Sequence, residues 1–322
     1  MSAAGQPAAV LLVTTSYDLS AELVAASLAR RGAYAVRFDT DHFPAEISAC
    51  IDETGRWVLR TTTDELCSDA VDAVWYRKHA APALPTTLDP AHAEFAEREA
   101  RAFITGALLD LDGVRWVSDP TSVWRAEKKP AQLRVAAAVG FELPRTRITN
   151  DAAAVRVFAA TVPVVAKAVS SGYITRDGSF ETIFTSAVST DDLDDLASLA
   201  LAPVTFQEQV AKRSDVRVTV VGEHVFAAEI ESQALQESRV DWRAADDPRR
   251  LIHREHDLPA AIASRCRILV QALGLRYGAI DLVRTEDDRY VFLEINPNGE
   301  WLWLQDALGW PIAERIAEEL LG

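Results

Sequence analysis

Cysteine is scarce: Cys50, Cys67 and Cys266 are the only three in 322 residues. They lie far apart with no C-x-x-C spacing, which excludes a disulfide framework and a thiolate metal site and suits a reducing cytoplasm. Long apolar runs are missing too. None approaches the ~18 residues that span a bilayer, and no basic segment followed by an apolar one opens the chain, so the expectation is a soluble cytoplasmic protein with no membrane partner. Positive charge is in deficit, with 33 Lys and Arg against 48 Asp and Glu and a net charge of -15. A phosphate backbone is repelled by such a surface, so no nucleic-acid partner is expected. Any anionic ligand must be held locally by a few focused Lys and Arg side chains together with a metal. Several motifs are also lacking. No G-x-G-x-x-G links the first strand to its helix, and no G-x-S-x-G elbow occurs. His253 and His256 in "HREH" have no third ligand for zinc.

What is present is an ordinary globular composition, 49% hydrophobic and 25% charged, in a chain long enough for two or three domains. "AAVLLVTT" reads as a buried strand, "DLSAELVAASLARRG" as a helix closed by Gly32, and "AVRFDT" as a second strand. "EISACIDETGRWVLRTT" predicts a hairpin turning at Thr54-Gly55, "DAVWYRK" a strand, and residues 90–111 a long amphipathic helix. "SVWRAEKKPAQLRVAAAVG" predicts one helix ended by Gly140. "VPVVAKAV", the loop "SSGYITRDGS" and "FETIFTSAV" predict a hairpin with a glycine-containing tip, and "STDDLDDLASLAL" a capped helix. Strands at "VTFQEQV", "DVRVTVVG" and "HVFAAEIES", a long helix, the hairpin "AIDLVRTEDDRYVFLEIN" and the helix "PIAERIAEELL" follow.

The last hairpin carries the most chemistry. If its turn centres on Asp287-Asp288, Asp281 and Glu294 face each other on neighbouring strands, and Asn296, two residues beyond Glu294, points the same way. Two carboxylates that close cost several kcal/mol unless a cation joins them. An all-oxygen set suits a hard ion such as Mg2+, which also takes phosphate oxygens. The alternative is a pair of solvated strand ends, against which the apolar flanks "YGAIDL" and "YVFLEINPN" argue. Lys167, inside "VPVVAKAVS", either snorkels outward or aims at an anion. The glycine-containing loop after it can fold over phosphates with its backbone N–H groups. Lys129 stands near a helix start, where the dipole favours anions; its plain alternative is an ordinary surface lysine. "FQEQV", Phe206 to Val210, is a strand whose backbone can offer the donor and acceptor that adenine reads.

This order of parts, a lysine on a helix, a lysine on a strand before a glycine loop, "QEQV", "DVRV" and then Asp281 with "EIN", resembles the ATP-grasp ligases from about residue 119 onward. Within them "VWYRK", "KKPAQL", "VDWR" and "EINPNGEWLWL" resemble the graspetide synthetases, microviridin-type ligases that cyclise ribosomal peptides through side chains. The resemblance implies an α/β chain with the ATP-grasp fold. Residues 1–118 would form a Rossmann-like pre-ATP-grasp domain, 119–202 a central α+β domain and 203–322 a C-terminal antiparallel-sheet domain. It implies ATP and Mg2+ as cofactors. Lys129, preferred to Lys128 because it directly precedes "PAQL", and Lys167 would contact phosphates. Glu208 and Val210 would hold adenine through backbone groups, and Asp215 would lie near the ribose. Arg217 would stabilise the transferred phosphoryl group, and Asp281, Glu294 and Asn296 would bind metal. Arg239 and Arg243, flanking "VDW", would contact an acidic peptide, although arginines in a polar segment are commonly just solvated.

The implied reaction phosphorylates Asp or Glu side chains of a ribosomal precursor peptide, a leader followed by a Thr- and Asp/Glu-rich core. Each acyl phosphate is then captured by Thr or Ser as an omega-ester, or by Lys as an amide. Two alternatives stand beside it: a ligase acting on a free amino acid or a protein C-terminus, and a nucleotide-binding module without turnover. Asp191 and Asp192 in "STDDLDDL" either complement a helix dipole or offer a basic leader a docking surface. Trp301 and Trp303 line the cleft or pack the core. A homodimer would suit the family.

Overall fold

The computed structural model describes residues 7–170, 172–176, 179–245, 247 and 250–322. The first unit is built on β1 (Ala9–Thr14), α1 (Leu19–Arg30) and β2 (Tyr34–Asp39). A three-stranded meander of β3 (Ser48–Ile51), β4 (Trp57–Arg60) and β5 (Glu65–Cys67) follows, with its turn at Thr54-Gly55 as predicted. Next come β6 (Ala73–Tyr76), α2 (Pro90–Leu109) and β7 (Arg115–Val117), which complete a parallel sheet of order β2-β1-β6-β7. Every residue of β1 is buried, because both faces are covered. Leu11 and Val13 pack toward the meander and α2, and Val10 and Leu12 toward α1 and the C-terminal helix.

The expected helix over 122–140 is two helices, α3 (Pro120–Ala126) and α4 (Lys129–Val139). Pro130 is the reason. In a continuous helix its ring would clash with the carbonyl of Ala126, and it has no N–H to give it, whereas in the first turn of a new helix neither matters. The central unit then contains β8 (Thr146–Thr149), α5 (Ala152–Ala159), β9 (Val164–Lys167), β10 (Tyr173–Arg176), β11 (Ser179–Thr182), β12 (Ser186–Ala187), α6 (Thr190–Asp194) and β13 (Val204–Glu208). A four-stranded sheet of order β12-β9-β13-β8 packs Val164 and Phe206 on Val155 and Phe158 of α5. The two arms of the predicted hairpin pair antiparallel as β9 and β12, but the segment expected as a loop between them carries a strand: β10 pairs with β11 in a second hairpin, and Asp177-Gly178 lies outside the described residues. "STDDLDDLASLAL" is shorter than expected: α6 stops at Asp194 and a 3-10 turn covers 197–201.

The last unit has β14 (Ser214–Val221), β15 (His224–Ile230), β16 (His253–Glu255), α7 (Ala260–Ala272), β17 (Tyr277–Arg284), β18 (Tyr290–Asn296), α8 (Leu302–Leu308) and α9 (Ile312–Leu321). Its antiparallel sheet runs β16-β15-β14-β17-β18. β14 is buried throughout yet alternates in chemistry: Val216, Val218 and Val220 join the core with α4 and α7, while Asp215, Arg217 and Thr219 occupy the other face. A buried polar face needs partners, and it is the floor of a cleft. α9 returns to pack on α1, so the C-terminal segment shares a core with the first unit. Trp301 is fully buried in that core.

Candidate functional site

The cleft floor is a row of three side chains across neighbouring strands, Arg217 on β14 facing Asp281 on β17, and Asp281 facing Glu294 on β18. The predicted opposition of the two acids is therefore present, but by a different route. Near the turn the pairs are Arg284 with Tyr290 and Leu282 with Phe292, a register that would set Leu293 against Asp281. A β-bulge at Leu293 inserts the extra residue that brings Glu294 opposite.

Each acid has its own cation. Arg217 holds Asp281 through one nitrogen at 2.8 and 2.9 Å and donates to the Glu300 carbonyl at 3.3 Å. Lys129, the first residue of α4, donates to Glu294 at 2.8 Å, and Lys167 Nζ, at the end of β9, lies 3.8 Å from the same oxygen. Burial alone would push the Glu294 carboxyl up, but the Lys167 and Lys129 ammoniums hold it well below the usual carboxylate range. Burial lowers the Lys167 ammonium even with Glu294 beside it. Two ammoniums share one carboxylate oxygen, a local excess of positive charge that an anion would relieve.

Asn296 is exposed and is not among the residues lining the cleft; its Oδ1 accepts from Asn298 N–H at 3.0 Å. The turn it begins is tightly held. Arg77, 1% exposed at the end of β6, donates to the Asn298 carbonyl and to Glu300 at 2.7 Å, beside Asp18 at 3.4 Å. Lys78 reaches the other Glu300 oxygen at 2.6 Å, and Tyr277 donates to the Gly299 carbonyl at 2.6 Å. Gly299 tolerates no side chain, since a Cβ would lie 2.4 Å from that of Ala279 and 2.8 Å from an Arg217 nitrogen.

The opposite wall is the central sheet. Between the two sheets lies a cleft lined by Val165, Lys167, Gln207, Glu208, Val210, Asp281 and Glu294 among others. Glu208 N–H bonds Arg145 O and Gln209 N–H bonds Pro163 O, both at 2.8 Å. Asp215 and Arg243 line the cleft too, each already partnered. Asp215 accepts from Lys212 at 2.6 Å, and burial pushes its carboxyl up against that lysine. Arg243 is clamped by Asp241 at 2.8 and 2.9 Å, and Asp241 also accepts from Thr185 N–H at 3.1 Å, tying the two walls together. Arg239 lines the same space.

Asp191 and Asp192 stand apart from this assembly. Asp192 accepts from the Ser189 N–H and hydroxyl at 2.7 and 2.6 Å in a capping box, and it lines a separate groove on the far face of the central sheet. Trp303 packs at a tilt against Trp242 and edge-on to His253, and Trp242, not Trp303, forms the cleft wall.

Arg77, Gln132, Lys212 and Asp241 were not singled out from sequence. "VWYRK", "KKPAQL" and "VDWR" contain three of them, but their partners are distant in the chain and no spacing announces them. Among the described residues no group of three or more His, Cys, Asp or Glu is arranged to hold a metal. The oxygen set is two carboxylates and an amide, which fits Mg2+ when phosphate oxygens and water complete the shell.

Glu294→Gln leaves two ammoniums facing each other without their carboxylate, and breaking a buried pair from one side costs roughly 3–5 kcal/mol. Urea titration at neutral pH should show that loss. Because the Glu294 value is lowered from 4.5, the wild-type advantage is complete above that ordinary value and narrows as the pH falls toward the lowered one. An equal stability at neutral pH, or an advantage that grows with acid, contradicts the pairing.

The family model described as the MvdD pre-ATP grasp domain matches residues 9–124. Among solved structures, macrocyclase MdnC from Microcystis aeruginosa MRC, bound with precursor peptide MdnA, is 34% identical with a TM-score of 0.87, covering 97% of this chain and 99% of its own. Macrocyclase MdnB from the same organism is 30% identical with a TM-score of 0.81 over 98% and 99% of the two chains. A RiPP-associated ATP-grasp ligase from Chryseobacterium gregarium, in complex with ADP and a leader and core peptide, is 29% identical with a TM-score of 0.88 over 98% and 96%. Comparison with curated proteins gives no match. The sheets, the carboxylate row and this end-to-end similarity have one meaning: the chain is an ATP-grasp ligase and belongs to the family of microviridin-type macrocyclases, the graspetide synthetases.

Proposed function

We propose that the protein uses ATP and Mg2+ to cyclise a ribosomal precursor peptide, activating Asp or Glu side chains of its core and linking them to Thr or Ser hydroxyls. The observation that carries this reading is the facing pair Asp281 and Glu294, with Arg217, Lys129 and Lys167 around it in a cleft between two sheets. A carboxylate does not react with a hydroxyl at neutral pH, because oxide is its leaving group; a phosphoryl group taken from ATP replaces oxide with phosphate. Asp281, Glu294 and Asn296 would hold Mg2+, which would supply neutralisation of the charge on the transferring oxygens. Lys129 and Lys167 turn from Glu294 to the phosphates. Arg217, fixed by Asp281, is positioned to stabilise the transferred group and the acyl phosphate. Glu208 and Val210 offer backbone groups to adenine, and Asp215 with Lys212 shapes the wall near the ribose. Arg239 and Arg243 present guanidiniums to the acidic core.

In this reading residues 1–118, 119–202 and 203–322 act as the three domains. The groove beside α6 takes the leader, with Asp192 in its lining and Asp191 next to it on α6. Cytoplasmic location and a homodimer are parts of the same proposal, supported by the free cysteines and by the family resemblance.

Incubation with ATP, Mg2+ and a peptide rich in Thr, Asp and Glu should remove one water per ring, read by mass spectrometry, with one ADP formed for each. Arg217→Lys keeps the charge but not the fork, and should slow ring formation by about 10²-fold while ADP still binds. ADP release without loss of water from any such peptide overturns the macrocyclase reading. For the leader, Asp191→Lys is the cleaner variant, since Asp192→Lys also breaks the capping box by removing the carboxylate that accepts from Ser189 N–H. Precursor affinity should fall several-fold with ADP affinity unchanged; an unchanged precursor affinity removes Asp191 from the docking surface.

A further inference from the structure

β18 is the last strand of its sheet, so one of its edges faces away from β17. Two groups occupy that edge. Phe292 N–H bonds the Glu142 carbonyl at 2.9 Å. Ile295 is held on both its polar groups by Gln132: its N–H donates to Oε1 at 3.2 Å, and Nε2 donates to its carbonyl at 2.7 Å. In a regular strand the N–H groups of residues i and i+2 share an edge, whereas positions 292 and 295 differ by three. Only the extra residue of the bulge reconciles them, and Leu293 is that residue.

The bulge thus lies between two fixed points, and its result is that Leu293 and Glu294, adjacent in sequence, both line the cleft. Without it Glu294 would pair with Ile280 and turn into the apolar core against α4 and α7. Gln132 makes a third bond, Nε2 to the Ala126 carbonyl at 2.7 Å, the group that Pro130 cannot serve. One amide, 4% exposed, therefore joins the helix break that starts α4 to the register of β18. Lys129 is three residues before Gln132, on the same helix face, and its Nζ meets Glu294 at 2.8 Å.

We propose that Gln132 is a positioning residue that selects the bulged register of β18 and so aims Glu294 and Lys129 together into the cleft. It acts from behind the strand, through those two side chains, and the proposal rests on the nucleotide-binding reading of the cleft. The test is ADP affinity with Mg2+, by calorimetry, in the full chain and in Gln132→Met and Gln132→Glu, together with amide hydrogen exchange. Met keeps the length of the side chain and offers no hydrogen bond. Glu can accept from Ile295 N–H but sets an oxygen against the Ile295 and Ala126 carbonyls. Both variants should bind Mg·ADP at least tenfold more weakly, with faster exchange over 290–296 and unchanged exchange in β14. Folded variants with wild-type ADP affinity overturn the proposal. If neither variant folds, exchange in the wild type decides: an Ile295 amide as slow as those paired with β17 supports the lock, and one as fast as a free edge amide overturns it. A wild type that binds no ADP defeats the nucleotide reading instead, and Ile295 exchange then judges the register lock by itself.

Discussion

The structure depends on two carboxylates that should not be neighbours. Asp281 and Glu294 face each other on adjacent strands, largely removed from water, and such a pair is tolerated only with cations beside it. Arg217 serves Asp281, and Lys129 and Lys167 serve Glu294. The two sets of partners differ in kind. Arg217 is embedded in the floor, bonded also to the Glu300 carbonyl, and cannot leave without abandoning a buried acid. The lysines come from a helix and from the opposite wall, sharing a single oxygen, so they can turn toward an arriving anion. Under the proposed function the resting cluster is a charge arrangement suited to exchange: phosphates would take the lysines, and a hard divalent ion would take the carboxylates.

Everything around the row restricts where these groups can point. The turn after β18 is gripped from the first unit by Arg77 and Lys78 and from below by Arg217 and Tyr277. Asn296 therefore sits on a turn whose shape is set jointly by two units distant in sequence. The packing of α9 on α1 reinforces that junction, because both helices share one core with β1. Across the cleft, Asp241 fastens Thr185 and orients Arg243, joining the central wall to the floor. A ligase that must protect an acyl phosphate from water benefits from walls fixed in this way, leaving the lysines as the parts that can respond.

Much of this was legible in the chain. Period-two alternation located the strands, and the two-residue spacing of Glu294 and Asn296 placed them on one face. The polar turn between "LVR" and "YVFL" marked the hairpin whose strands carry Asp281 and Glu294, although the bulge and not the turn sets them opposite each other. The bulge was not legible, because it is fixed by Gln132 and Glu142, which touch β18 only in the folded state. The helix break was legible in principle, since Pro130 forbids continuity with Ala126, but the apolar periodicity through 122–139 masked it. Arg77, Lys212 and Asp241 escaped notice for a shared reason: each is a charged side chain that is itself buried and held by a partner, and a charged residue in sequence looks exposed until its partner is known. Asp192 shows the converse, a local capping box fully specified by four consecutive residues.

The exchange of lysines for phosphates and of carboxylates for metal is tested most directly by thermal unfolding with Mg2+ alone, ADP alone and both together. A ligand at a thousand times its dissociation constant stabilises by about 4 kcal/mol, enough to move the midpoint by several degrees. The expected result is a joint shift larger than the sum of the separate ones, because Mg2+ alone meets acids already neutralised and ADP alone leaves those acids facing its phosphates. A joint shift no greater than that sum would contradict a shared metal and nucleotide site at Asp281 and Glu294.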